Sequence, residues 1–126
     1  MTPDVRDLLA STVPDTIRSL LAPSVAFHSP VADYRGRADV AHLLATIGRC
    51  LSDLEPGVQW AMERRRLDEF TARVGDHPAD GALIQRAGPG GLIEEATLFL
   101  RPLGALQAAV AFMRDALRED PLPSRR

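Results

Sequence analysis

Gly88-Pro89-Gly90-Gly91-Leu92-Ile93-Glu94-Glu95-Ala96-Thr97-Leu98-Phe99-Leu100-Arg101-Pro102-Leu103 holds three signals in succession. The glycine–proline cluster is the strongest turn signal in the chain, because these residues supply left-handed and fixed backbone angles. Within the run from Leu92 to Arg101, Ala96, Leu98 and Leu100 then alternate with Thr97 and Phe99. A period of two is that of a strand with one buried face. Pro102 opens a helix in which Leu103, Leu106, Val110, Met113 and Leu117 recur at steps of three and four. A strand bounded by a tight turn and a terminal amphipathic helix predicts a sheet with a helix folded back on it.

Working upstream, the same strand period continues. A strand is predicted over about residues 81–87, after a turn or bulge at Gly75-Asp76-His77-Pro78. Phe70, Ala72 and Val74 share a face in another, and Trp60 and Met62 in a strand over 58–67, with a tight turn near Asp68-Glu69 between them. Before these comes a helix with Asp39 in its first turn and the stripe Val40, Leu43, Leu44, Ile47, Leu51 and Leu54, ended by Glu55-Pro56-Gly57. Residues 24–29 form a short strand stopped by Pro30, and Tyr34-Arg35-Gly36 is a turn. Thr2-Pro3-Asp4 and Thr12-Val13-Pro14-Asp15 are both helix starts, which predict two short helices or one kinked at Pro14.

The order is therefore helices, a strand, a helix, an antiparallel meander and a closing helix. It predicts an α+β fold: a cone-shaped curved antiparallel sheet packed on N-terminal helices, with a C-terminal helix. Residues 1–120 make one domain, and 121–126, with two prolines and two terminal arginines, a frayed tail.

Composition narrows the function classes. The 126 residues are 45% hydrophobic and 25% charged, which is globular. A net charge of −2 with no basic tail argues against nucleic acid and anionic membrane as partners. All 15 basic residues are arginine, a pattern read as the codon bias of a GC-rich bacterial genome. No apolar run reaches the roughly 20 residues of a membrane span. The first residues lack a signal-peptide layout, and the single Cys50 points to a reducing, cytoplasmic setting.

Two strings carry a resemblance. Leu21-Ala22-Pro23-Ser24-Val25-Ala26-Phe27-His28-Ser29-Pro30-Val31, followed by Tyr34-Arg35-Gly36-Arg37 and a helix, is one; Gly91 to Leu103 is the other. Their order and spacing resemble the nuclear transport factor 2-like superfamily, in particular its SnoaL-like branch, from about residue 5 to residue 118. The resemblance implies a cone enclosing a pocket for a small apolar, polyketide-like or steroid-like ligand, used without a cofactor. Isomerases, cyclases, epoxide hydrolases and dehydratases share this fold, so activity rests on the site.

Position by position, the resemblance implies a ketosteroid-isomerase base directly before a proline, where this chain has Ser29 before Pro30. The oxyanion-holding acid of the third strand falls on Leu83, or on Asp80 if the turn through residues 88–91 is longer. The first-helix tyrosine is absent; the only tyrosine is Tyr34. Arg101 and Asp80 match parts of the epoxide hydrolases' Asp-Arg-Asp set.

The pocket is thus expected to be walled by Phe27, Ser29, Leu43, Ile47, Trp60, Met62, Phe70, Leu83, Gln85 and Leu98, with Asp80 as the candidate catalytic residue. His28 should face outward, His77 lies in a turn, and no histidines have the spacing of a metal site. Arg101 is expected to pair with Glu95, and Cys50 to be buried. Two functions stay open. One is a cofactor-independent acid/base enzyme with Asp80 as base and Ser29 or Gln85 polarising a carbonyl. The other is a ligand-binding or dimerisation module without the acids. Ile93 and Phe99, read as outward-facing, predict a homodimer through the sheet face.

Overall fold

A computed structural model describes residues 3–126. Two short helices, α1 (Val5–Leu9) and α2 (Pro14–Arg18), lead into β1 (Leu21–His28) and β2 (Asp33–Arg35). Next come α3 (Arg37–Cys50) and the strands β3 (Ser52–Met62), β4 (Arg65–Val74), β5 (His77–Ala87) and β6 (Ile93–Arg101). Helix α4 (Leu103–Glu119) follows, and a 3₁₀ turn at Pro123–Arg125 ends the chain. The expected cap at Thr2 lies outside the described residues. Asp4 caps α1 instead, accepting from the Arg6 and Asp7 amides while the Asp7 carboxylate accepts from the Asp4 amide.

The six strands form one curved sheet in the order β2-β1-β6-β5-β4-β3. All neighbours are antiparallel except β1 and β6, which run parallel. The fold is the predicted α+β cone with one parallel pairing in it. Helices lie on the concave side, and Val5, Leu8, Leu9, Ile17, Leu44 and Leu83 are fully enclosed there.

Several boundaries differ from the sequence expectation, each for a physical reason. Helix α3 stops at Cys50, so Leu51 and Leu54 do not extend its stripe. Pro56 and Gly57 lie inside β3, where the register to β4 shifts. β3 is an edge strand, and an edge tolerates a proline that a central ladder would not. The hairpin turn between β3 and β4 sits at Glu63-Arg64, with Glu63 at φ 51°, and not at Asp68-Glu69. β5 begins at His77, inside the expected turn at residues 75–78, which brings Asp80 into the ladder opposite Arg101.

The tail is tethered and not frayed. Leu122 is buried, the Ser124 amide and hydroxyl both donate to Asp39, and buried His42 reaches the Asp120 carbonyl through Nε2 at 2.9 Å.

Candidate functional site

The concave side of the sheet has two differently filled ends. At one, α1 and α2 press Val5, Leu8, Leu9 and Ile17 into the core. At the other, α4 covers α3 and β6 without closing on them. Ala105 and Ala109 are the only fully buried residues of this helix, while Met113 and Leu117 pack against the core only in part. A cavity of about 240 Å³ remains. α3 contributes Leu43, Ile47 and Cys50 to its wall, and β6 contributes Leu98 and Leu100. α4 adds Leu106, Val110, Met113 and Leu117. The turn after β1 supplies Ser29, Pro30 and Val31, and Tyr34 on β2 completes that side. Among the lining residues Pro30, Val31 and Arg114 are exposed, and they mark the open side.

The polar inventory of this wall is short: Ser29, Tyr34, Cys50 and Arg114. The Ser29 hydroxyl donates to the Ala32 carbonyl at 2.9 Å and accepts from the Val31 and Ala32 amides, so it is occupied in holding its own turn. Burial pushes the Cys50 thiol up to about 11, so it stays protonated and a poor nucleophile at neutral pH. No carboxylate lines the cavity among the described residues.

Of the ten positions expected in the pocket, Ser29, Leu43, Ile47 and Leu98 line this cavity. Phe27, Phe70 and Leu83 are buried in the adjoining core, with the Phe70 ring packed on the Cα of Gly81. Gln85 is also buried outside the cavity. Its Nε2 donates to the Pro3 carbonyl at 2.7 Å, and its Oε1 has no partner among the described residues.

Trp60 and Met62 are 61% and 76% exposed on the outer face, so neither walls a pocket. The Trp60 indole donates to Glu69 at 3.3 Å. Asp80 also lies on the outer face, opposite in pleat to Leu83, and its carboxylate pairs with Arg101 at 2.9 Å. Arg101 therefore pairs with Asp80 and not with Glu95. Ile93, expected outside, is fully buried between β1 and β5, because the register shift beside Ala87 turns it inward.

Two polar clusters were not anticipated from sequence. Inside, Asp68 is fully buried and holds Arg66 through two contacts, Nε to Oδ2 at 2.9 Å and Nη2 to Oδ1 at 3.0 Å. The two-residue spacing on one strand face was the available signal, hidden by placing the turn at Asp68. Outside, His28 is clamped between Asp33 at 2.7 Å and Glu95 at 3.0 Å. Hydrogen bonds to these carboxylates, Asp33 foremost, raise the His28 pKa above its ordinary value, while His28 lowers that of Glu95. No group of three His, Cys, Asp or Glu side chains able to hold a metal occurs among the described residues.

No family profile matches the sequence. A cystatin-like protein of Silicibacter pomeroyi superposes with a TM-score of 0.88 at 26% identity, over 95% of this chain and 89% of that one. A steroid delta-isomerase of Pseudomonas aeruginosa superposes at 0.83 and 30% identity, over 89% and 85% of the two chains. SnoaL-like and NTF2-like proteins share the fold at lower identity. The chain belongs to the nuclear transport factor 2-like superfamily. Its curved sheet with a C-terminal helix is the superfamily's cone. A sequence match to lipoyl synthase of Aromatoleum aromaticum, 34% identical over 117 residues, takes in 81% of this chain but only 36% of that protein. No helix among the described residues is long and apolar enough to cross a membrane.

Proposed function

We propose that the chain binds a small apolar ligand in the cavity between α3, α4 and β6, without acid/base catalysis. The single observation that carries this reading is the wall itself: predominantly apolar side chains, with no carboxylate among the described lining residues. Its volume of about 240 Å³ falls below the roughly 300–1,000 Å³ of drug-sized sites. A short-chain or single-ring compound suits it better than a fused four-ring one.

The relationship to a steroid delta-isomerase favours a second reading, an isomerase. Carbon-bound proton transfer needs a base within reach of the substrate. Ser29 is committed to its turn, the Cys50 thiol is protonated, and Asp80 is on the other face of the sheet. These three facts support binding over isomerisation.

The outer face adds a partner to this proposal. Val58, Trp60, Met62 and Phe99 are all more than half exposed on strands that cross it. An apolar surface of this kind supports pairing of two copies through their sheets.

Titration with 1-octanol tests the ligand reading. A folded-state ligand raises thermal stability in proportion to the logarithm of its concentration over Kd. Octanol should raise Tm, Val110→Trp should abolish the rise by filling the cavity, and Asp80→Asn should leave it unchanged. Turnover of a ketosteroid by the purified chain that Asp80→Asn removes would overturn the non-catalytic reading. A monomer by light scattering at micromolar concentration would overturn the dimer.

A further inference from the structure

Resting on the binding reading above, we infer that the occupant is an anionic amphiphile, a small apolar carboxylate whose charged end pairs with Arg114 while its body fills the cavity. Among the described residues Arg114 is the only charged one of the wall, and it is exposed. Its one ion-pair partner among the described residues is Asp115, 3.7 Å from Nε. Asp115 also lies 3.9 Å from Arg118 Nη1, so one exposed carboxylate is shared by two guanidinium groups. The terminal nitrogens of Arg114 make no hydrogen bond within the described protein, and they are the fork that a carboxylate accepts in two parallel bonds. Tyr34, also on the wall, has no side-chain hydrogen-bond partner among the described residues, which leaves its hydroxyl available to a ligand.

The sign of the charge selects the class. With no acid in the lining, an amine would face the Arg114 guanidinium with only the already paired Asp115 to offset it, and a neutral alcohol would accept from the guanidinium fork without the gain of opposite charge. A carboxylate uses the fork and keeps its own charge at the water boundary, where desolvation is small. Octanoate, 1-octanol and octylamine share one apolar body and differ only at the head.

Calorimetric titration of the full chain with these three compounds is the experiment. Octanoate should bind about tenfold more tightly than octanol, the gain of one charge-assisted pair at a partly exposed site. Arg114→Gln should bring octanoate down to the octanol level and leave octanol itself unchanged. Arg118→Gln, which alters the same helix end outside the cavity, should change neither. Equal affinity of octanoate and octanol in the parent chain overturns the carboxylate assignment and leaves apolar binding standing. Tightest binding of octylamine, or an equal loss in the Arg114 and Arg118 variants, also overturns it. Failure of all three compounds to bind the folded chain overturns the apolar-ligand reading with it.

Discussion

The two faces of the sheet use the same residue types in opposite ways. On the concave face Asp68 is fully buried and doubly bonded to Arg66, opposite Leu83 across the ladder. On the outer face Asp80 and Arg101 form the same kind of pair, but 56% and 73% of their side chains are in water. Large apolar residues show the same reversal: Leu83 is sealed, while Trp60 and Phe99 are in solvent. The contrast teaches that chemistry in this molecule is decided by the pleat. Removing one member of a charged pair is expected to cost much or little according to which face of the sheet the pair occupies.

The largest effect should come from cutting the inner pair. Arg66→Leu leaves Asp68 enclosed without its partner and should cost about 3–5 kcal/mol in urea unfolding. The equivalent outer change, Arg101→Leu, should cost less than about 1 kcal/mol. Equal costs would end the distinction between the faces.

Next in size is Leu83→Ala, which opens a void in the closed core and should lower stability by about 2–5 kcal/mol. The His28 clamp should be worth less than about 1 kcal/mol, because it sits at the water boundary. Its sign with pH is fixed by two opposite shifts. The raised His28 contributes fully below its ordinary 6.5 and loses that contribution as pH climbs through the raised value. The lowered Glu95 contributes above its ordinary 4.5 and loses it as pH falls through the lowered value. Stability relative to His28→Gln should therefore peak between pH 4.5 and 6.5 in thermal melts and narrow on either side. A difference independent of pH would show that the clamp acts by packing alone.

Smallest for the fold, and most telling for assembly, is Phe99→Ser. As a monomer property its unfolding free energy should change by no more than about 0.5 kcal/mol. In light scattering it should shift the paired form toward the monomer. A large loss of stability with no change in mass would mean that Phe99 belongs to the monomer's own core.

Much of this was legible in the residues. The alternation through Ala96, Leu98 and Leu100, the turn at Gly88 to Gly91 and the three–four steps from Leu103 gave the last strand and the closing helix. They work because one buried face imposes a period of two on a strand and 3.6 on a helix. The site was legible in part. Leu43, Ile47 and Leu98 lie on the stripes that the periodicity singled out, and all three line the cavity. Asp80 illustrates a missed inference: once β5 begins at His77, parity alone separates it from Leu83 and Gln85. Pro78 obscured that start, since proline weakens a strand assignment.

By itself, then, the sequence determined the order of the helices and the five longer strands and their periods, and so the cone, because these follow from local backbone preference and alternation. It missed the three-residue β2, read as a turn at Tyr34-Arg35-Gly36, because so short a strand shows no period. Only the tertiary structure decided which pleat faces inward along the irregular edge strand β3, where the shifts around Pro56 break parity and leave Trp60 outside. It also decided that Arg66 and Asp68 are enclosed and that Arg114 stands at the mouth of a cavity. The cavity depends on how α4 packs against α3 and β6, which is set by side chains remote in sequence and written in no local pattern.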